Sequence, residues 1–166
     1  MQFSYASPLQ NEVMPFPRRV ARVLLADSDL ASRLTLETLL TTAGYAVECA
    51  ASAGEAIARL DMTEYQLVLA DLRTESEESG TRLLAYARQK EFRPATALIS
   101  SKLSEMDGGI AHFDCADSVI SITDENVSYL LARIADLISR RADRRMRTVL
   151  KRAADLMQTR EQRGRG

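Results

Sequence analysis

Val23-Leu24-Leu25-Ala26-Asp27-Ser28-Asp29 carries four apolar residues straight into three polar ones. A short continuous apolar run, without alternation, is what a strand covered on both faces requires. The residues after it change period. Leu30 to Ala43 sets Leu34, Leu36, Leu39 and Leu40 on one broad apolar face and stops at Gly44, a good helix terminator. Strand followed directly by helix is half of a crossover unit, and the rest of the chain repeats it.

Four further apolar runs follow: Tyr45-Ala46-Val47, Leu67-Val68-Leu69-Ala70, Ala97-Leu98-Ile99 and Val119-Ile120. Between them lie helical patterns at Ala53–Leu60, after a candidate Ser52 cap, and at Thr81–Glu91, with Pro94 beyond its end. A weaker pattern at Leu103–Phe113 is interrupted by Gly108-Gly109, and the longest runs from Asn126 to about Met157. Five strands alternating with five helices predict an α/β fold with a parallel sheet covered on both faces. Residues 1–19 hold three of the four prolines and no sustained period, and read as a flexible leader in which Met14 could be the true start.

In open sheets of this type the ligand site lies outside the carboxyl ends of the strands, near the point where strand order reverses. Here those ends are polar: Asp27-Ser28-Asp29 after the first strand, Asp71-Leu72-Arg73 after the third, Ser100-Ser101-Lys102 after the fourth. If the first and third strands are neighbours, Asp27 and Asp71 face each other across a crevice. Two carboxylates about 4 Å apart repel by roughly 4 kcal/mol at an effective dielectric near 20. A cation or a raised pKa must relieve that, and an all-oxygen ligand set favours Mg²⁺.

Taken together, Leu24-Leu25-Ala26-Asp27-Ser28-Asp29 with Arg33, Gly44-Tyr45-Ala46-Val47, Gly54-Glu55-Ala56, Leu67-Val68-Leu69-Ala70-Asp71 and Leu130-Leu131-Ala132-Arg133-Ile134 resemble the receiver domain of two-component response regulators, over residues 20–138. The resemblance implies a flavodoxin-like doubly wound sheet of order 2-1-3-4-5 and a signalling domain rather than an enzyme. It makes Asp71 the phosphoryl acceptor, Asp27 a ligand of the Mg²⁺ cofactor, the Arg73 backbone carbonyl a second metal ligand, and Ser100 the hydroxyl that bonds the phosphoryl group. A carboxylate nucleophile needs a metal to neutralise the incoming phosphate and a donor to hold it, so these assignments agree with the chemistry. The implied partners are a histidine kinase or histidine phosphotransfer protein upstream and a protein target downstream.

The departures define an atypical member. Ser28 stands where the second acid of the metal pair belongs, Ile122 where a phosphate-pairing lysine belongs, and Val119 at the aromatic switch position. An acidic loop, Thr74 to Gly80, replaces the usual turn after Asp71. Arg73 or Lys102 could supply the missing positive charge, and Glu75, Glu77 or Glu78 the missing carboxylate, although exposed charges of this kind are most often only solvated. Two functions therefore stand side by side: a stand-alone receiver phosphorylated on Asp71, and a pseudo-receiver that binds partners without phosphorylation.

Charge separates the body from its tail. The 166 residues carry 22 Lys+Arg and 23 Asp+Glu, a formal net charge of −1. Residues 1–138 hold 12 basic and 20 acidic side chains, a balance of −8, whereas residues 139–166 hold 10 basic and 3 acidic, a balance of +7. This basic extension has no Gly or Pro before Gly164, and Ala142, Met146, Val149, Ala153 and Leu156 follow one another at spacings of 4, 3, 4 and 3. The pattern is heptad-like and suits a protein-contacting helix, including a homodimer. A plain solvated extension comes next and nucleic acid last, since the segment is short for an output domain and lacks aromatic residues for stacking. No run approaches about 20 apolar residues and the first residues show no signal-peptide pattern, so a cytoplasmic protein without membrane insertion is expected. Cys49 and Cys115 read as small core residues, and His112, the single histidine, as structural.

Overall fold

The computed structural model describes residues 20–71, 78–100, 114–122 and 126–163, with side chains in the last helix described to Arg160. Among the described residues nine elements follow one another: β1 (Arg22–Ala26), α1 (Leu30–Thr42), β2 (Ala46–Ala50), α2 (Ala53–Met62), β3 (Leu67–Asp71), α3 (Ser79–Gln89), β4 (Ala95–Ser100), β5 (Ser118–Ser121) and α4 (Val127–Arg163). The strands form one parallel sheet of order β2-β1-β3-β4-β5. That is the 2-1-3-4-5 order the resemblance implies. The leader, the acidic loop as far as Glu77, and the pattern at Leu103–Phe113 with His112 lie outside the described residues.

Strand residues of period two divide the core into two layers. Val23, Leu25, Leu67, Leu69, Ala97, Ile99 and Ile120 point to one face, where Leu36 and Leu40 of α1 and Leu130, Ile134 and Leu137 of α4 cover them. Leu24, Ala26, Val68, Ala70 and Leu98 point to the other, covered by Ala56 and Leu60 of α2 and Leu83, Leu84 and Ala87 of α3. Each fully buried Leu or Ile contributes about 1.5–3 kcal/mol of transfer free energy, which is why four-residue runs suffice as strands here. Cys49 and Cys115 are half-buried at the margins of opposite layers rather than inside the core, and a bridge between them would have to cross the sheet.

Local chemistry sets the element ends. Asp29 caps α1 by accepting from Ser32 N at 2.7 Å, and Gly44 takes the left-handed φ of +93° that ends it. Ser52 caps α2 by accepting from Glu55 N at 3.0 Å, while the Glu55 carboxylate returns to Ala51 N at 2.8 Å. Helix α3 starts at Ser79, two residues before the apolar period begins, because Gly80 is buried within its first turn and Thr81 donates to the Glu78 carbonyl.

Helix α4 is one continuous element of 37 residues, ending six residues beyond the predicted Met157. It is about 55 Å long at 1.5 Å per residue. Its first half packs on the sheet; from Ala142 to Arg160 every residue is exposed. The change occurs at Arg141, which is 6% exposed and donates from Nε to the Arg93 carbonyl at 3.0 Å and from Nη2 to the Phe92 carbonyl at 2.8 Å. One turn on, Arg144 meets Asp117 at 3.6 Å and Arg145 meets Glu64 at 3.8 Å. All four partners precede a strand, so the helix leaves the body at the amino-terminal edge of the sheet. No helix among the described residues is long and apolar enough to cross a membrane.

Candidate functional site

The opposite, carboxyl edge of the sheet gathers the residues singled out in the sequence. The register Ala26↔Ala70 between β1 and β3 sets Asp27 and Asp71 at the next level of two adjacent strands, on the face shared by α1 and α4. Asp71 in turn pairs with Ile99. Asp27 is 2% exposed, and its backbone N–H continues the sheet to the Ala50 carbonyl at 3.1 Å. Its Oδ1 accepts from Asp29 N at 2.8 Å, and its own carbonyl accepts from Arg33 Nη1 at 2.6 Å. The second carboxylate oxygen, Oδ2, is buried with no hydrogen-bond partner among the described residues. A buried carboxylate oxygen left in this way is costly unless something positive comes to it.

Asp29 has a different role: its side chain is spent on the α1 cap, as the sequence allowed, and it is exposed. Ser28 is exposed as well. Arg33 was legible only as part of a motif, and what it does is local. It ties the first turn of α1 to the Asp27 carbonyl and so holds the loop that aims Asp27.

Ser100 is the last residue of β4, half-buried, and pairs with Ser121. Strand period places it on the opposite parity from Asp71, toward the α3 side. Ile122 N donates to the Ser100 carbonyl at 3.0 Å, carrying the ladder one step past β5. The Ile122 side chain packs against the core layer under α1 and α4. Val119 packs against the layer under α2 and α3. Arg73, Lys102 and Glu75 and Glu77 of the acidic loop lie outside the described residues. Among the described residues no group of three or more His, Cys, Asp or Glu side chains converges as a metal site.

No family model and no curated protein matches the sequence. Solved structures do. The response regulator TrrA of Thermotoga maritima, solved in complex with Mg²⁺-BeF, aligns over 71% of this chain and 99% of its own with 21% identity and a TM-score of 0.63. A CheY-like response regulator receiver domain of Methanospirillum hungatei aligns over 75% of this chain and 98% of its own, with 24% identity and a TM-score of 0.64. For NtrX of Brucella abortus, solved with ADP, the figures are 79% and 29%, with 17% identity and a TM-score of 0.68.

The chain has the receiver fold.

At these identities the likeness concerns the backbone. Within the receiver fold Asp27 and Asp71 occupy the two central strand ends, and the carboxyl edge is built with one acid, Asp27, fully withdrawn from solvent. The same fold carries an aliphatic side chain, Ile122, at the end of the last strand, where it extends the core instead of presenting a charge. The described part of the edge thus sets two acids, Asp27 and Asp71, on adjacent strand ends and an aliphatic side chain, Ile122, after the last strand.

Proposed function

We propose that this receiver fold serves a two-component phosphorelay: a histidine kinase or histidine phosphotransfer protein donates a phosphoryl group to Asp71, and the phosphorylated form signals through contact with a downstream protein. The observation that supports this most directly is the buried Oδ2 of Asp27, unpartnered among the described residues and one strand away from Asp71. An oxygen in that state fits a hard divalent cation. Asp27, Asp71 and the backbone carbonyl of Arg73 would hold Mg²⁺, whose contribution is to neutralise charge on the phosphoryl oxygens. With Ser28 in place of a second acid, the site is a weakened one.

Asp71 acts as the nucleophile. Its carboxylate oxygen forms a bond to phosphorus as the phosphorus–nitrogen bond of the donor histidine breaks, and the imidazole leaves with the electron pair. Arg33 keeps the Asp27 loop in place while this happens, and Ser100 supplies the hydroxyl that bonds a phosphoryl oxygen. The chemistry is that of a phosphoryl-accepting signalling domain rather than of a turnover enzyme.

A second reading rests on Ile122. Its packing in the core removes a charge-assisted bond to the phosphoryl group, a loss of a few kcal/mol and so of orders of magnitude in rate or lifetime. That favours a pseudo-receiver whose partner contacts do not need phosphorylation. Addition of beryllium fluoride with millimolar Mg²⁺ separates the two. The first reading expects amide shifts at Asp71, Ser100 and β5; an unchanged spectrum leaves the second.

A further inference from the structure

Beyond Arg141 the last helix presents a surface that the body does not use. Met146, Val149, Leu150 and Leu156 are 54–68% exposed. They lie on one side of the helix, turned by more than a right angle from the side that Leu130, Ile134 and Leu137 bury, as 100° per residue requires. In heptad terms Met146, Ala153 and Arg160 share one core position, and Ala142, Val149 and Leu156 the other, with Leu150 flanking them. The root of this segment is fixed to the body through Arg141, Arg144 and Arg145. The stripe is therefore offered as a formed helix, and no folding of the segment has to accompany its binding.

We propose that the occupant of this stripe is a second copy of the chain, with the two tails packed antiparallel about a two-fold axis near Lys151. In that arrangement each layer is complementary. Met146 of one copy meets Leu156 of the other, Val149 meets Ala153, and the small Ala142 leaves room for Arg160 of the partner subunit. Leu150 meets its own mate beside the axis and is covered. Charge selects the same orientation. The side chain of Glu64 is 63% exposed and stands next to Arg145 at the root of the tail, one turn from Ala142. The partner subunit's Arg160 arrives at that acid, and the basic tail of each copy runs toward the acidic body of the other.

A parallel pair does the opposite. It stacks Arg160 on Arg160 inside the seam, sets Leu150 against Arg145 of the other copy, and brings two bodies of balance −8 to the same end. In the antiparallel pair Arg152 lies beside its mate on the solvated edge, where long side chains diverge into water, and at each root Arg145 and the arriving Arg160 share Glu64 between them.

Sedimentation of the full chain tests the stoichiometry, and cysteine pairs test the direction. The unsubstituted chain sediments as a dimer and Leu156→Asp as a monomer with an unchanged circular dichroism spectrum of the body. Met146→Cys mixed with Leu156→Cys gives a disulfide-linked dimer under oxidised glutathione, whereas neither variant alone does. The unsubstituted chain under the same oxidant is the control for the native thiols, both of which are half-buried, and burial pushes both pKa values up, Cys49 to about 11. A monomer at every concentration, a dimer that survives Leu156→Asp, or crosslinking of either single variant with itself overturns the proposal, the last in favour of a parallel pair and the first in favour of a different partner protein.

Discussion

Arg141 Nη2 donates to the carbonyl oxygen of Phe92 over 2.8 Å, and this bond marks where a helix of the body becomes a helix in solvent. The same guanidinium satisfies the Arg93 carbonyl, at a residue with a φ of +40° that the α3–β4 loop requires. Burying a charge is tolerated here because the guanidinium donates to two backbone carbonyls. Arg141→Ala leaves both carbonyls without that donor and should lower stability by about 2–3 kcal/mol, as hydrogen bonds from charged groups do. Urea unfolding measures the loss, and hydrogen exchange should show earlier opening of α4 around residues 138–145 than elsewhere on the sheet. Equal exchange in the variant and the unsubstituted chain would show that the anchor does not hold the root.

Asp27→Asn keeps an acceptor for Asp29 N and removes the charge whose second oxygen has no partner among the described residues. In metal-free buffer its stability should stay within about 1 kcal/mol of the unsubstituted chain, or exceed it, since a buried uncompensated charge is lost. Mg²⁺ should raise the melting temperature of the unsubstituted chain, by mass action on the folded state, and leave the variant where it was. Thermal melts with Mg²⁺ and with EDTA make the comparison. The same Mg²⁺ shift in both proteins would remove Asp27 from the site.

Ile122→Lys exchanges a half-buried aliphatic contact for a cation at the end of β5. We expect it to cost about 1–2 kcal/mol of stability from the apolar area returned to water. Affinity for beryllium fluoride with Mg²⁺ should rise about tenfold or more, the equivalent of one charge-assisted hydrogen bond. Titration followed by amide shifts reads the affinity; a variant that binds no better would separate the lysine position from the phosphoryl site.

Acid stability should depend on Glu48, on the edge strand β2. Tyr65, fully buried, donates to its Oε2 at 2.6 Å, and Arg22 pairs with its other oxygen. The Tyr65 hydroxyl first, and Arg22 after it, hold the Glu48 carboxyl below the usual carboxylate range, while burial together with Glu48 pushes Tyr65 up to about 12. A carboxyl whose folded pKa is depressed contributes stability above its ordinary value near 4.5 and loses it as pH falls through the folded one. Tyr65→Phe should cost about 1–2 kcal/mol at neutral pH and flatten the decline of stability below that value. Urea midpoints from neutral pH down through the carboxylate range check it, and parallel curves for the two proteins would assign the acid dependence to other groups.

Much of the fold is written in local pattern. The runs at Val23–Ala26 and Leu67–Ala70, the helix stop at Gly44 and the caps at Asp29 and Ser52 are each legible because strand period, helix period and capping chemistry act over a few residues. Strand order and the facing of Asp27 and Asp71 followed from the resemblance and from the rule that sites gather at carboxyl ends. Other features were not legible, because they join residues far apart in the chain. That Ile122 enters the core layer under α1 and α4 depends on which helix covers that face. Glu48, Tyr65 and Arg22 come from three segments. Arg141 looked like one more charge in a basic tail, and only the loop before β4, brought under the helix by the sheet, makes it a buried anchor. Sequence by itself determined the elements, their caps and the separation of acidic body from basic helix, since those follow from residues in succession. Tertiary structure alone decided which acid is buried, which charges are anchored and which side of the last helix is left exposed, because burial is a property of the neighbours a residue acquires when the sheet closes over it.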